Sequence, residues 1–280
     1  MNNLLKIAVL SALALSAWVI SALAQPAIPN YWDEKERLSR PDLSSVERVR
    51  FLTTVDFPPF NYLDAEGRLT GFHVDLVRAI CRELQIADRC QIQALPWDEL
   101  EEAIGSGQGE ALIAGTPVTA ETRTGYAFSR PYLRFPARFA VPRSSTLAEP
   151  MHSTVAGRRI GVLAGSAHEA MLRTYFPDAQ PVTFARPEWL FEGLRGGKLD
   201  GIFGDGMRLS FWLAGSNSQD CCHFVGGPYI APEFLGSGLA IAVPHTKAML
   251  AEAFDYALRD LTVNGTFAEL YLRHFPISFY

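Results

Sequence analysis

Twice along this chain a short apolar strand passes through a small turn into an amphipathic helix, and that order restricts the fold more than any other feature. The first run starts at Val49, where VRFLTTVDF alternates like a strand. Val74, Val77, Ile80 and Leu84 then recur at helical spacing and predict a helix from about Asp75 to Leu84. A strand at Gln91 to Ala94 leads into Pro96-Trp97 and a short helix with Trp97, Leu100 and Ile104 on one face, ended by Gly105 and Gly107. A third strand, Glu110 to Ala114, follows. The second run repeats the order without obvious sequence identity: RIGVL from Arg159 to Leu163, the turn Ala164-Gly165-Ser166, a helix from about His168 to Tyr175, a strand at Pro181 to Phe184, a helix from Pro187 to Leu194 stopped by Gly196-Gly197, and the apolar strand that ends in Asp205. Strands that alternate with helices of this length need crossover connections and pair mostly in parallel. The expectation is an α/β protein built from two similar units.

The ends and the composition narrow the compartment. Met1 to Ala24 carries Lys6, an apolar run from Ile7 to Leu23 and the small-residue ending Ala22-Leu23-Ala24, the layout of a secretory signal peptide with cleavage before Gln25. A membrane anchor is the rival reading of that run. The 280 residues are 48% hydrophobic and 20% charged, with a formal net charge of −5 that becomes more negative once Lys6 is removed. An acidic chain without basic clusters excludes nucleic acid as an expected partner. Four cysteines in a chain bound for an oxidising compartment are expected to pair, in any of three connectivities. Cys221 and Cys222 are adjacent and form either a vicinal disulfide or a thiol pair. The six histidines have no ligand spacing, and neither metal nor cofactor is expected. Between the signal and the first strand, residues 25–47 read as a polar, proline-bearing arm pinned by Tyr31 and Trp32.

The stretch AGTPVTAETRTGYAFSRPY, from Ala114 to Tyr132, brings a Gly-Thr-Pro turn, hydroxyls and an arginine to the end of an apolar strand, as a binding-site rim would. It resembles the ligand loop of bacterial extracellular solute-binding proteins of family 3, whose pattern runs G-x-T-[IV]-T-x-E-R and then F-[ST]-x-P-Y. The family's opening signature is matched by Phe57, Pro59, Phe60 and Tyr62 and by Gly67, Gly71, Phe72, Val74, Asp75 and Leu76, with His73 in place of the first aspartate. The ending is matched by GSGLAIAVP, by the helical stripe Met249, Leu250, Ala253, Phe254, Ala257, Leu258 and Leu261 with its Asn264-Gly265 cap, and by a last helix through Phe267, Leu270, Tyr271 and Phe275. The resemblance spans about Val49 to Phe275. One departure stands out, because Thr122 occupies the family's arginine position and Arg123 lies one residue later.

The resemblance implies a two-lobed periplasmic-binding-protein-like fold of type II, each lobe a mostly parallel sheet flanked by helices, with two crossing segments as hinge. Lobe 1 would comprise residues 48–131 with 238–280, and lobe 2 residues 132–237. It also implies a Cys81–Cys90 disulfide, joining a helix end to the start of the next strand as in some relatives. Ligands of such proteins sit where strand carboxyl ends face each other. That places Phe57 and Trp97 as stacking aromatics, Gly115, Pro117 and Thr122 as the lobe-one ligand loop, Ser166 at a helix N-terminus and Asp205 as the partner of a ligand ammonium group. Arg123 could still reach the cleft; a solvent-facing side chain is its more ordinary place, and core packing or helix capping are the ordinary roles of the others. The implied function is a monomeric periplasmic receptor that delivers a small amine-bearing solute, such as an amino acid, to the membrane permease of an ABC importer. Two alternatives stand beside it. One is a dehydratase-like enzyme on the same scaffold, with Glu121, Glu233 or His168 as general acid. The other is an accessory protein similar to the periplasmic partners of quinoprotein oxidation systems.

Overall fold

The computed structural model describes residues 27–33 and 35–280; the predicted signal peptide, Met1 to Ala24, lies outside the described residues. Two five-stranded sheets organise the chain. The first has the order Cys90–Ala94, Val49–Thr53, Ala111–Leu112, Ala242–Pro244, Tyr126–Phe128, and the second Gln180–Phe184, Arg159–Leu163, Gly201–Asp205, Ala137–Pro142, Cys222–Tyr229. In each, the first three strands are parallel and the fourth runs against them. The two lobes therefore share one plan, as the repeated strand and helix order predicts.

Each lobe has its own core. Phe51, Phe72, Phe254 and Tyr271 are fully buried in the first, and Phe139, Ile160 and Phe203 in the second. Burying rings of this size supplies roughly 2–3 kcal/mol each, which makes these positions the main source of lobe stability. Between the lobes the two crossing segments pair with each other: Tyr132 N–H donates to Leu239 O at 2.9 Å and Leu239 N–H to Leu133 O at 2.7 Å. The arm and the carboxyl end meet at the same place. The Tyr31 and Tyr280 hydroxyls lie 2.5 Å apart, and both accept from the Arg134 N–H, at 3.2 and 2.9 Å. Trp32 is buried, and Arg130 lies over its ring while binding both oxygens of Glu36 at 2.7 Å.

Element boundaries differ from the periodicity in two places that matter for the site. The helix expected from Asp75 begins at Phe72 and runs to Glu83, because loop carbonyls satisfy its first donors: Phe72 N–H donates to Pro59 O and His73 N–H to Phe60 O. Gly71 permits this approach, since a Cβ there would lie 2.3 Å from Phe60 O at a φ of +122°. The strand expected over Glu110 to Ala114 is regular only at Ala111–Leu112. Both cysteine pairs are disulfides, Cys81–Cys90 as the resemblance implies and Cys221–Cys222 as a vicinal bridge.

Candidate functional site

In the first lobe, the candidate residues cluster at the carboxyl ends of the parallel strands. Phe57 is half-buried, stacks on Phe60 at a centroid distance of 4.7 Å, and covers the backbone of Gly115, whose φ is +88°. A Cβ on Gly115 would stand 3.0 Å from the Phe57 ring, so the glycine is what lets that ring lie flat on the turn. Trp97 is 54% exposed and opens a 3₁₀ turn, Trp97–Glu99, that continues into the helix Leu100–Gly105. Trp97, Pro117 and Thr122 line one cavity of about 510 Å³, together with Asp98, Glu101 and Glu121.

The polar groups of this loop bind the loop itself. Thr122 Oγ1 donates to Pro117 O at 2.7 Å and accepts from the Thr119 N–H at 3.0 Å, while Thr119 Oγ1 accepts from the Thr122 N–H at 3.1 Å. The rim expected to present an open loop is thus a closed turn followed by one helical turn, Thr122–Gly125. Arg123 is exposed, and its guanidinium lies over the Phe128 ring at 5.6 Å.

In the second lobe two of the candidate residues cap helices. Asp205 ends the strand Gly201–Asp205 and caps the helix Gly206–Ala214, with Oδ1 accepting from the Arg208 N–H at 2.7 Å. Its other oxygen takes no hydrogen bond among the described residues. Ser166 caps the helix Ala167–Tyr175, accepting from the Glu169 N–H at 3.1 Å and donating to Leu163 O at 2.7 Å; the Glu169 carboxylate reaches back to the Gly165 N–H. Capping therefore occupies the Ser166 hydroxyl's proton and one of its two lone pairs.

Ser166 and Asp205 line a cavity of about 210 Å³ with His168 and Arg208, over walls that include Leu163, Leu190, Phe203 and Leu209. His168 Nε2 is buried and unpartnered. Burial holds the His168 imidazole below its ordinary pKa and the nearby Arg208 charge adds to this, against the opposing pull of the Asp205 carboxylate. Arg208 makes no ion pair among the described residues. In the sequence the one signal for Arg208 is its place three residues after Asp205, on the first turn of the same helix.

A buried polar chain connects the lobe-one loop to the hinge. His73 Nδ1 lies 2.8 Å from Asn61 Oδ1 and its Nε2 2.8 Å from the Tyr132 hydroxyl, while Asn61 Nδ2 donates to Thr54 Oγ1 and Thr54 O. Complete burial pushes the His73 pKa down to about 3, so the ring is neutral. Where the resembling family carries an aspartate, this chain thus places an uncharged, fully bonded group. Among the described residues no group of three or more His, Cys, Asp or Glu could hold a metal ion, and no helix is long and apolar enough to cross a membrane.

Two lobes of the same α/β plan, joined by two crossings, with candidate residues at the carboxyl ends of strands in each, define a type II periplasmic-binding-protein fold. Solved structures agree on that fold: the second substrate-binding domain of a putative amino acid ABC transporter from Streptococcus pneumoniae has a TM-score of 0.68 at 23% identity over 81% of this chain and 100% of that one. The L-cystine solute receptor of Neisseria gonorrhoeae, in its unliganded open conformation, has a TM-score of 0.69 at 18% identity over 83% of this chain and 94% of that one. The sequence profile of the bacterial extracellular solute-binding proteins, family 3, matches residues 49–277, and the chain belongs to that family. Among its curated relatives, ABC transporter arginine-binding protein 1 of Escherichia coli (strain K12) is 28% identical over 236 residues, 83% of this chain and 93% of that protein. The L-arginine-binding protein of Pseudomonas aeruginosa is 26% identical over 245 residues, 87% and 93% respectively.

Proposed function

We propose that the chain is the periplasmic receptor of an ABC importer, closing around an amino acid or related amine-bearing solute and presenting the closed form to a membrane permease. The observation that carries this is the division of the site: the two cavities are each lined by one lobe alone, and one of them holds an aspartate with an unused oxygen. A solute bound to one half gains the contacts of the other only when the crossings bend, and that difference in contact is what drives closure. The names of the relatives, arginine-binding and ABC transporter components, support the solute class and the partner. We take the mature chain to start at Gln25, to act as a monomer, and to divide into lobes at 48–131 with 238–280 and at 132–237.

The binding reading is preferred to catalysis on the same scaffold. One of the solved structures of similar fold is an ancestral cyclohexadienyl dehydratase, with a TM-score of 0.67 at 19% identity, a likeness of fold alone. Of the general-acid candidates, Glu121 is exposed and Glu233 is held by the Tyr175 hydroxyl in lobe 2. The His168 pKa is lowered, which disfavours the protonated form an acid needs.

The test is a calorimetric titration of the mature chain with L-amino acids and simple amines, paired with small-angle scattering to detect closure. Saturable binding with a fall in radius of gyration is the expected result. A panel without binding, or binding without compaction, would remove the receptor reading for these solutes.

A further inference from the structure

Resting on the receptor reading, the structure narrows the solute. We infer that it is an α-amino acid with a compact apolar side chain, held mainly by lobe 2: Asp205 takes the ammonium group, Arg208 the carboxylate, and the cavity behind them the side chain.

The charges are the first argument. The family's lobe-one arginine position holds Thr122, whose hydroxyl is spent on Pro117 O and the Thr119 N–H, and Arg123 is stacked on Phe128. Arg208 lines the same cavity as Asp205 and has no ion pair among the described residues. The two side chains start three residues apart on one helical turn, anchored by the Arg208 N–H to Asp205 Oδ1 bond. An opposite-sign pair that lines one cavity without closing on itself fits a zwitterion, whose ammonium would pair with Asp205 and whose carboxylate would replace solvent at the exposed Arg208.

The cavity is the second argument. Its 210 Å³ exceeds the roughly 150 Å³ that suffices for a benzene ring in an apolar protein cavity. Its walls are leucine and phenylalanine side chains from elements far apart in sequence, and the space extends over the backbone of Gly204, where an added Cβ would meet only Leu209 Cδ1, at 3.9 Å. Among the described residues the one buried, unpartnered side-chain atom lining this cavity is His168 Nε2, so with Asp205 held by the α-ammonium a guanidinium or ammonium side chain buried there falls short of its hydrogen-bonding needs and carries a large desolvation cost. A phenyl or isobutyl group meets no such cost.

The experiment is calorimetry on the mature chain with L-phenylalanine, L-leucine, L-alanine, 2-phenylethylamine and L-arginine. L-phenylalanine or L-leucine is expected to bind at least about tenfold more tightly than L-alanine, which leaves the cavity empty, and than 2-phenylethylamine, which lacks the carboxylate. Arg208→Gln is expected to bring L-phenylalanine and 2-phenylethylamine within about threefold of each other, because the charge-assisted contact is gone. Gly204→Val, which fills the cavity, is expected to weaken L-phenylalanine by about tenfold; the melting temperature without ligand checks that the variant is folded. Tight binding of L-arginine with no detectable L-phenylalanine or L-leucine overturns the inference and leaves the receptor reading standing. Failure of every amino acid and amine removes both. Equal affinity for L-phenylalanine and 2-phenylethylamine in the unmodified chain overturns the role of Arg208. The wild-type ligand series decides the matter even if a variant does not fold.

Discussion

The two halves of the candidate site are built from the same strand and turn plan and differ in what their polar groups are doing. In lobe 1 the hydroxyls of Thr119 and Thr122 satisfy their own turn, and His73 is bonded at both nitrogens to Asn61 and Tyr132. In lobe 2 Asp205, with one oxygen unbonded, His168, with Nε2 buried and unpartnered, and the exposed Arg208, with no ion pair among the described residues, line one cavity. Lobe 1 offers the exposed Trp97 at its cavity and the half-buried Phe57 on the Gly115 turn. Lobe 2 lines its cavity with groups of both signs, Asp205 and Arg208, whereas the lobe-one cavity is lined by the carboxylates of Asp98, Glu101 and Glu121. Under the proposed reading, lobe 2 holds the charged end of the solute and lobe 1 closes over it.

The sharpest way to break this contrast is to exchange the two histidines for alanine. His73→Ala leaves Asn61 Oδ1 and the Tyr132 hydroxyl buried without partners and opens a void, so a loss of about 3 kcal/mol is expected, read as a lower urea midpoint at unchanged slope. His168→Ala removes no protein hydrogen bond at Nε2 and is expected to change stability by under about 1 kcal/mol while altering ligand affinity. The opposite pattern would reverse the assignment of structural and binding roles. pH gives an independent check. The folded-state pKa of His73 is depressed to about 3, well below its ordinary value of 6.5, so the unfolded chain takes up a proton first. The contribution of His73 is complete above about pH 6.5 and is lost by up to about 1.4 kcal/mol per pH unit as the pH falls toward 3. That slope should shrink in His73→Ala.

Next in size is the charge of Asp205. Asp205→Asn keeps an oxygen for the Arg208 N–H, so the helix cap and the fold should survive, but the attraction to an ammonium group is lost. The expected cost is about 1.5–3 kcal/mol, a loss of roughly ten- to hundredfold in affinity for the best amine-bearing ligand by calorimetry. Unchanged affinity would mean that Asp205 is a cap and nothing more, and the difference between the lobes would lose its main support.

Much of this layout was legible in the sequence, because apolar spacing directly reports which faces are buried. The stripe from Met249 to Leu261 lies in the helix Ala248–Val263 and is buried from Leu250 on, with Met249 exposed, and Gly265, at a φ of +83°, follows it in the left-handed conformation that such a cap requires. What spacing could not report was where polar groups spend their hydrogen bonds. The helix start at Phe72 depends on the carbonyls of Pro59 and Phe60, which are near only after the loop has folded. Thr122 reads as a free hydroxyl in the sequence and becomes a turn lock in the structure. The lobe-two cavity is assembled from Leu163, Leu190, Gly204 and Leu209, residues that no local pattern connects.

Arg123 offers the finest test of the contrast, because the expected effect is close to zero. Its guanidinium rests on Phe128 at 5.6 Å and is exposed, an arrangement worth about 0.5–1 kcal/mol to stability and nothing to a solute held by lobe 2. Arg123→Ala is therefore expected to keep affinity within about twofold and to lower stability by less than about 1 kcal/mol. A loss above about tenfold in affinity, which corresponds to 1.4 kcal/mol, would mean that the 119–125 turn reorganises on closure and delivers Arg123 to the solute carboxylate. Lobe 1 would then supply the anion contact as the family pattern does, one residue out of register, and the binding chemistry assigned to Arg208 would have to be shared between the lobes.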